Sequence, residues 1–156
     1  MIFDTATRED IDELIQLRIA YMIDDFGQVS EHEKESMKNQ LPDYFNRKLG
    51  EELIAFVARD QNRIVATAYL HIIEIPANSI LLNGIYGEVL SVYTLPEYRG
   101  RGLCTQLITN LIQYGKEAGL GRIDLSATKK GYPIYKKLGF KEKENRYTEM
   151  RYLFKE

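Results

Sequence analysis

The hydrophobic period of this chain switches from helical to strand-like near Gly50, and no Pro/Gly/Ser linker accompanies the change. Before it, apolar residues follow helical spacing. "TRED" (Thr7 to Asp10) is a capping-box start, and Ile11, Leu14, Ile15, Arg18, Ile19, Met22 and Ile23 mostly keep the 3.6-residue period. "SEHE" (Ser30 to Glu33) opens a second helical stretch through Met37, Leu41, Tyr44, Phe45 and Leu49, which Pro42 is expected to break into two short helices, with Gly50 as the stop. After Gly50, "ELIAFVARDQNRIVATAYLHIIEI" reads as two strands around a "DQN" turn, and "GIYGEVLSVYTL" as a third. Leu103, Leu107, Ile108, Leu111 and Ile112 then mark one side of a helix. "GRIDLSAT" reads as a strand and "YPIYKKLG" as a short helix capped by Gly139, while "FKEKE" and "YTEMRYLF" read as two closing strands.

Helices first, an antiparallel region next and a β–α–β unit last predict an α/β (α+β) fold: one mixed sheet in three layers. With 156 residues the chain is expected to form a single domain, 1–156. The net charge of −2 gives no basic face for nucleic acid, and no apolar run is long enough to cross a bilayer. The N-terminus lacks a signal-peptide pattern and the single cysteine, Cys104, cannot form an internal disulfide. The expectation is a cytoplasmic protein without nucleic-acid, membrane or metal partners; a homodimer is left open.

Between the third strand and its helix stands "YTLPEYRGRGLCTQL", with Gly100 and Gly102 flanked by Arg99 and Arg101. The first turn of a helix carries free N–H groups and a partial positive charge. Glycines there let an anion approach those groups, so the stretch suits a phosphate; a tight solvent loop is the plain alternative. No P-loop string occurs. A dinucleotide fingerprint would need glycine at Thr105 and a strand directly before Gly100, although Asp124 lies near the position of its ribose-binding acid. The nucleotide-binding oxidoreductase reading is therefore weak.

A third pattern fits better. Arg99-Gly100-Arg101-Gly102-Leu103-Cys104 resembles motif A of the GNAT superfamily of acyl-CoA-dependent N-acyltransferases, Q/R-x-x-G-x-G/A, except at its last position. "VYTLPEYRG" before it resembles that family's strand and loop, and "YKKLGF" (Tyr135 to Phe140) its second signature, about 35 residues on. The resemblance covers nearly the whole chain. It implies a three-layer fold whose sheet splays at the cofactor site, acetyl-CoA as donor, and an amine, on a small molecule or a protein, as acceptor. It implies that Arg99, Gly100, Arg101, Gly102, Leu103, Cys104 and Thr105 hold the diphosphate, mostly through backbone amides. Val92, Tyr93 and Thr94 would hydrogen-bond the pantetheine arm and acetyl carbonyl through their backbone. Thr128 stands where many relatives have a pantetheine-binding Asn, with Ser126 as an alternative.

Direct acetyl transfer needs a base for the amine, donors for the oxyanion and an acid for the thiolate. The resemblance assigns the acid to Tyr135. Glu88 is the base candidate; strict alternation puts it on the same face as Val92, four residues on. The alternatives are a packed tyrosine and a solvated strand-end carboxylate. Tyr86, Tyr93 and Tyr132 are pocket lining at most. Asp24, Asp25 and Glu31 could attract a cationic amine or be solvated helix-end charge. A helix N-terminus favours thiolate, which makes a nucleophilic Cys104 with His71 or His32 as base conceivable, although both histidines read better as ordinary residues. A CoA-binding module without catalysis is the competing function.

Overall fold

In the computed structural model, which describes residues 1–155, the chain runs β1 (Ile2–Thr5), α1 (Ile11–Phe26), α2 (Glu31–Lys48), β2 (Leu53–Asp60), β3 (Arg63–Glu74), β4 (Ile85–Thr94), α3 (Leu103–Glu117), β5 (Ile123–Asp124) and α4 (Tyr132–Lys137). It divides into two compact units, Met1–Ser126 and the segment from Ala127 onward. The first unit holds a five-stranded mixed sheet in the order β1-β2-β3-β4-β5. β1 to β4 pair antiparallel, and β5 pairs parallel with β4.

The "DQN" signal is a two-residue turn: Gln61 and Asn62 have φ of 50° and 67°, the left-handed pair that matches strand twist. Asp60 and Arg63 close the hairpin across it. At the start of α2, Glu33 N–H donates to Ser30 Oγ while Ser30 N–H donates to Glu33 Oε2, a reciprocal cap. Pro42 does not break α2, which is one helix from Glu31 to Lys48. Proline removes one intrahelical hydrogen bond, but Leu41 and Phe45 on either side are buried in the core and carry the helix past it.

The sheet is covered on both faces. Leu14 and Leu17 of α1 and Leu41 and Phe45 of α2 form one cluster with Leu53, Ala55 and Val57 of β2, Tyr69 of β3 and Tyr93 of β4. Ile54, Phe56 and Ala58 alternate with those β2 residues and are buried on the opposite face. There Phe56 meets Tyr114 of α3 edge-on at 5.7 Å, and Leu103, Leu107, Ile108 and Leu111 bury the apolar stripe of that helix. A fully buried side chain of this size contributes about 1.5–3 kcal/mol.

The sequence pattern did not mark β1, a short edge strand with Ile2 exposed. It also read more strand than the C-terminal part holds. "GRIDLSAT" yields only Ile123–Asp124, and residues 141–155 have no regular structure. In the second unit α4 is the only helix or strand among the described residues, so that unit offers the expected closing strands no partner. α4 itself agrees with expectation: Gly139, at φ 101°, donates its N–H to Lys136 O at 3.1 Å just past the helix end. Among the described residues no helix is long and apolar enough to cross a membrane.

Candidate active site

β4 carries the first element of the site. Its pairing with β3 shifts between Thr67 and Tyr69, and Ser91 there has φ 51°. The Thr67 hydroxyl donates to Ser91 O at 2.9 Å, a buried bond that holds the irregularity. The extra residue resets the alternation. Leu90 and Tyr93 both pack into the α1–α2 cluster, so Val92 and Thr94 face the other way. Glu88 shares the face of Leu90, not that of Val92; strict alternation failed at the bulge. In register, Glu88 lies beside His71 of β3 and Asp124 of β5. The β4–β5 ladder has only two rungs, Gly87–Ile123 and Glu88–Asp124. Beyond Glu88, β4 runs on to Thr94 past the end of β5, and the sheet opens there.

The chain leaves β4 through a 3-10 turn at Pro96–Tyr98 and enters α3 through the glycines. Gly100 and Gly102 have φ of 77° and 76°. A Cβ on either would meet nothing within 4 Å. Backbone conformation, not crowding, requires glycine here, and the space beside both is open. Gly102 is the N-cap of α3 and has no side chain to cap it, and the first turn contains no acid. The first intrahelical bond is Gln106 N–H to Gly102 O. The amides of Leu103, Cys104 and Thr105 therefore have no acceptor within the helix and carry the partial positive charge of its N-terminus.

The two arginines brace this loop. Arg99 Nε donates to Thr94 O at 2.9 Å, its Nη2 reaches Asp24 Oδ2 at 3.2 Å, and its guanidinium lies over Tyr93 at 5.6 Å. Arg101 Nη2 donates to Glu97 O at 3.0 Å and stacks on Tyr98 at 4.8 Å. Tyr98 in turn donates to Asp60 Oδ2 at 2.7 Å. Arg99 thus ties the end of α1 to the end of β4. Of the acids considered for a cationic amine, Asp24, Asp25 and Glu31, Asp24 pairs with Arg99 and Glu31 with Lys34.

Cys104 is partly buried, and burial pushes its thiol above the ordinary range. Desolvation disfavours the thiolate, which argues against a nucleophilic role for this thiol. His71 lies five residues along β3 from Ala66, the partner of Thr94, at the Glu88 end of the strand.

The remaining expected residues lie in the second unit. Thr128 Oγ1 accepts from Gly131 N–H at 3.1 Å, and Thr128 O from Tyr132 N–H at 2.9 Å, so this threonine shapes the entry to α4. Tyr135 is buried, with its ring edge-on to Phe140 at 5.9 Å. Gly131 makes room for that ring: a Cβ there would come within 2.8 Å of Tyr135 Cε2.

Residues 12–140 match the model of the acetyltransferase (GNAT) family. The chain belongs to the GNAT family. Its fold superposes on a predicted acetyltransferase of Clostridium acetobutylicum, crystallised with acetyl-CoA, with a TM-score of 0.84 at 31% identity, covering 96% of this chain and 95% of that one. A stretch of 99 residues is 32% identical to a probable glucosamine 6-phosphate N-acetyltransferase of rice (Oryza sativa subsp. japonica), covering 61% of this chain. Another of 60 residues is 38% identical to an uncharacterised N-acetyltransferase of Methanocaldococcus jannaschii, covering 36% of this chain. The GNAT chain spans 58% of the rice protein and 26% of the archaeal one.

Proposed function

We propose that this GNAT chain is an acetyl-CoA-dependent N-acetyltransferase that moves an acetyl group to a primary amine by direct attack. One observation carries the reading. Two left-handed glycines, with open space where side chains would be, expose the first-turn amides of α3 beside the opened edge of β4. That combination fits a diphosphate followed by an extended arm. The relative crystallised with acetyl-CoA supports the choice of donor.

Acetyl-CoA supplies an activated thioester. In this reading the amides of Leu103 to Thr105 hold the diphosphate, with Arg99 and Arg101 keeping the loop in shape rather than gripping the anion. The backbone of Val92 to Thr94 holds the arm. Glu88, at the last β4–β5 rung, takes the proton from the amine, and Tyr135 returns one to the thiolate. Calorimetric titration with acetyl-CoA, followed by thiol release across a panel of amines, tests the reading. At 100 times the dissociation constant acetyl-CoA should stabilise the fold by about 2.7 kcal/mol. A folded sample unmoved by millimolar acetyl-CoA would refute it.

A further inference from the structure

Arg18 is out of place on α1. It lies next to buried Leu17 and one turn from buried Leu14, on the side of the helix that meets the sheet, and it is itself half-buried. The guanidiniums of Arg47, Arg59, Arg99 and Arg122 each rest on a carboxylate. Among the described residues Arg18 has none; its guanidinium sits 5.7 Å from the Tyr21 ring centroid. Its charge acts on three phenols, those of Tyr21, Tyr44 and Tyr69. Asp25 faces Tyr21, and Glu52, which faces Tyr44, is already paired with Lys48.

A second observation points to the same place. Tyr69 is 3% exposed, and its buried hydroxyl has the Ser91 side chain beside it but makes no hydrogen bond of good geometry to it or to any other described residue. A buried hydroxyl left unpaired is costly, and such groups call for a physical reason. Tyr69 pairs with Leu90, one residue before the Ser91 bulge, and shares its sheet face with Glu88. Arg18 rests on Tyr21, which packs against the same cluster as Tyr69, so a guanidinium without a carboxylate and a hydroxyl without a good hydrogen bond lie on the one sheet face that carries the proposed base. A guanidinium fork matches carboxylate and phosphate oxygens.

We propose that Arg18, with the Tyr69 hydroxyl, binds an anionic group carried by the acceptor amine, so that the acceptor is an amino acid-like or amino sugar phosphate-like molecule rather than a simple cation. The inference rests on the transferase reading and narrows its acceptor. Carboxylate and phosphate share the chemistry, and two amine pairs separate them: glucosamine 6-phosphate beside glucosamine, and glycylglycine beside glycylglycinamide. In at least one pair the anionic member should be acetylated with kcat/KM about 10- to 100-fold above the neutral one. The pair that shows it names the group. Arg18→Gln should erase that preference through KM of the anionic amine alone, Arg18→Lys should restore part of it, and acetyl-CoA affinity should stay unchanged in both. Tyr69→Phe should weaken the same preference. Equal use of both members, acetylation of neither anionic amine, or an Arg18→Gln loss that falls equally on neutral and anionic amines would overturn the inference while leaving the transferase reading intact. A wild-type chain that fails to bind acetyl-CoA in the calorimeter takes both down.

Discussion

Leu90 and Tyr93, three residues apart on β4, pack into the same core cluster. Regular strand alternation forbids that, since residues three apart point to opposite faces. The bulge at Ser91 permits it, and the buried bond from Thr67 Oγ1 to Ser91 O holds the bulge. Thr67→Val removes the donor and leaves a buried carbonyl short of a partner. The expected cost is about 1–3 kcal/mol, read as a lower urea midpoint with an unchanged m-value. Since the bulge sets the backbone of Val92 to Thr94, acetyl-CoA affinity should fall as well. A variant as stable as wild type would mean that Ser91 is fixed by packing alone.

A second ion-pair cluster fastens β1 and the start of α1 to β2. Arg59 grips Asp10 with both terminal nitrogens, at 2.9 and 2.8 Å, and donates from Nε to Asp4 at 2.9 Å. The hydrogen bonds from Arg59 hold the Asp10 carboxyl below its ordinary value of 3.8. A depressed folded value means that the stabilisation is complete above the unfolded pKa and is lost as pH falls through the folded one. Stability should therefore drop as the solution is acidified below about 4. Asp10→Asn should cost about 1–3 kcal/mol at pH 7 and flatten that part of the acid profile. Chemical denaturation at pH 7 and pH 3 checks both; an equally steep acid limb in the variant would place the titrating group elsewhere.

Gly102 separates fold from binding. Its φ of 76° strains any other residue, yet a Cβ there meets nothing within 4 Å. Gly102→Ala should cost only the left-handed penalty of about 1–2 kcal/mol. Acetyl-CoA affinity should fall at least about tenfold, because the methyl group occupies the approach to the α3 amides. Gly102→Val should strain the backbone more and bind still less. Calorimetry on folded variants with wild-type affinity would move the diphosphate away from α3.

Much of this was legible because it is local. Gly100 and Gly102 were read as an opening at a helix mouth, and both adopt the left-handed backbone that only glycine takes easily. "DQN" was read as a hairpin and is one. The failures lie where a distant partner decides. The bulge at Ser91 carries no Gly or Pro signal, so alternation misplaced Glu88 relative to Val92. "YTEMRYLF" has a strand's composition, but a strand needs a neighbour and its own unit has none. Pro42 lost to the burial of Leu41 and Phe45. Arg18 was visible within an apolar helical series. Its lack of a carboxylate partner and the poorly bonded Tyr69 hydroxyl emerge only once the helix is laid on the sheet.

Tyr135 tests the chemistry itself. Tyr135→Phe keeps the ring and its edge contact with Phe140, and it removes only the hydroxyl. A thermal midpoint close to wild type would show that packing has survived. If the hydroxyl protonates the departing thiolate, its interaction strengthens only in the transition state, so kcat should fall while acetyl-CoA affinity holds. General-acid loss costs about 10²–10⁴-fold, and the low end is expected here because a thiolate leaves fairly well unaided. The loss should also shrink for donors whose thiol is more acidic, since these need less help from an acid. Single-turnover kinetics keeps CoA release from masking the chemical step. A variant with the wild-type single-turnover rate would return Tyr135 to a packing role and leave the thiolate to water.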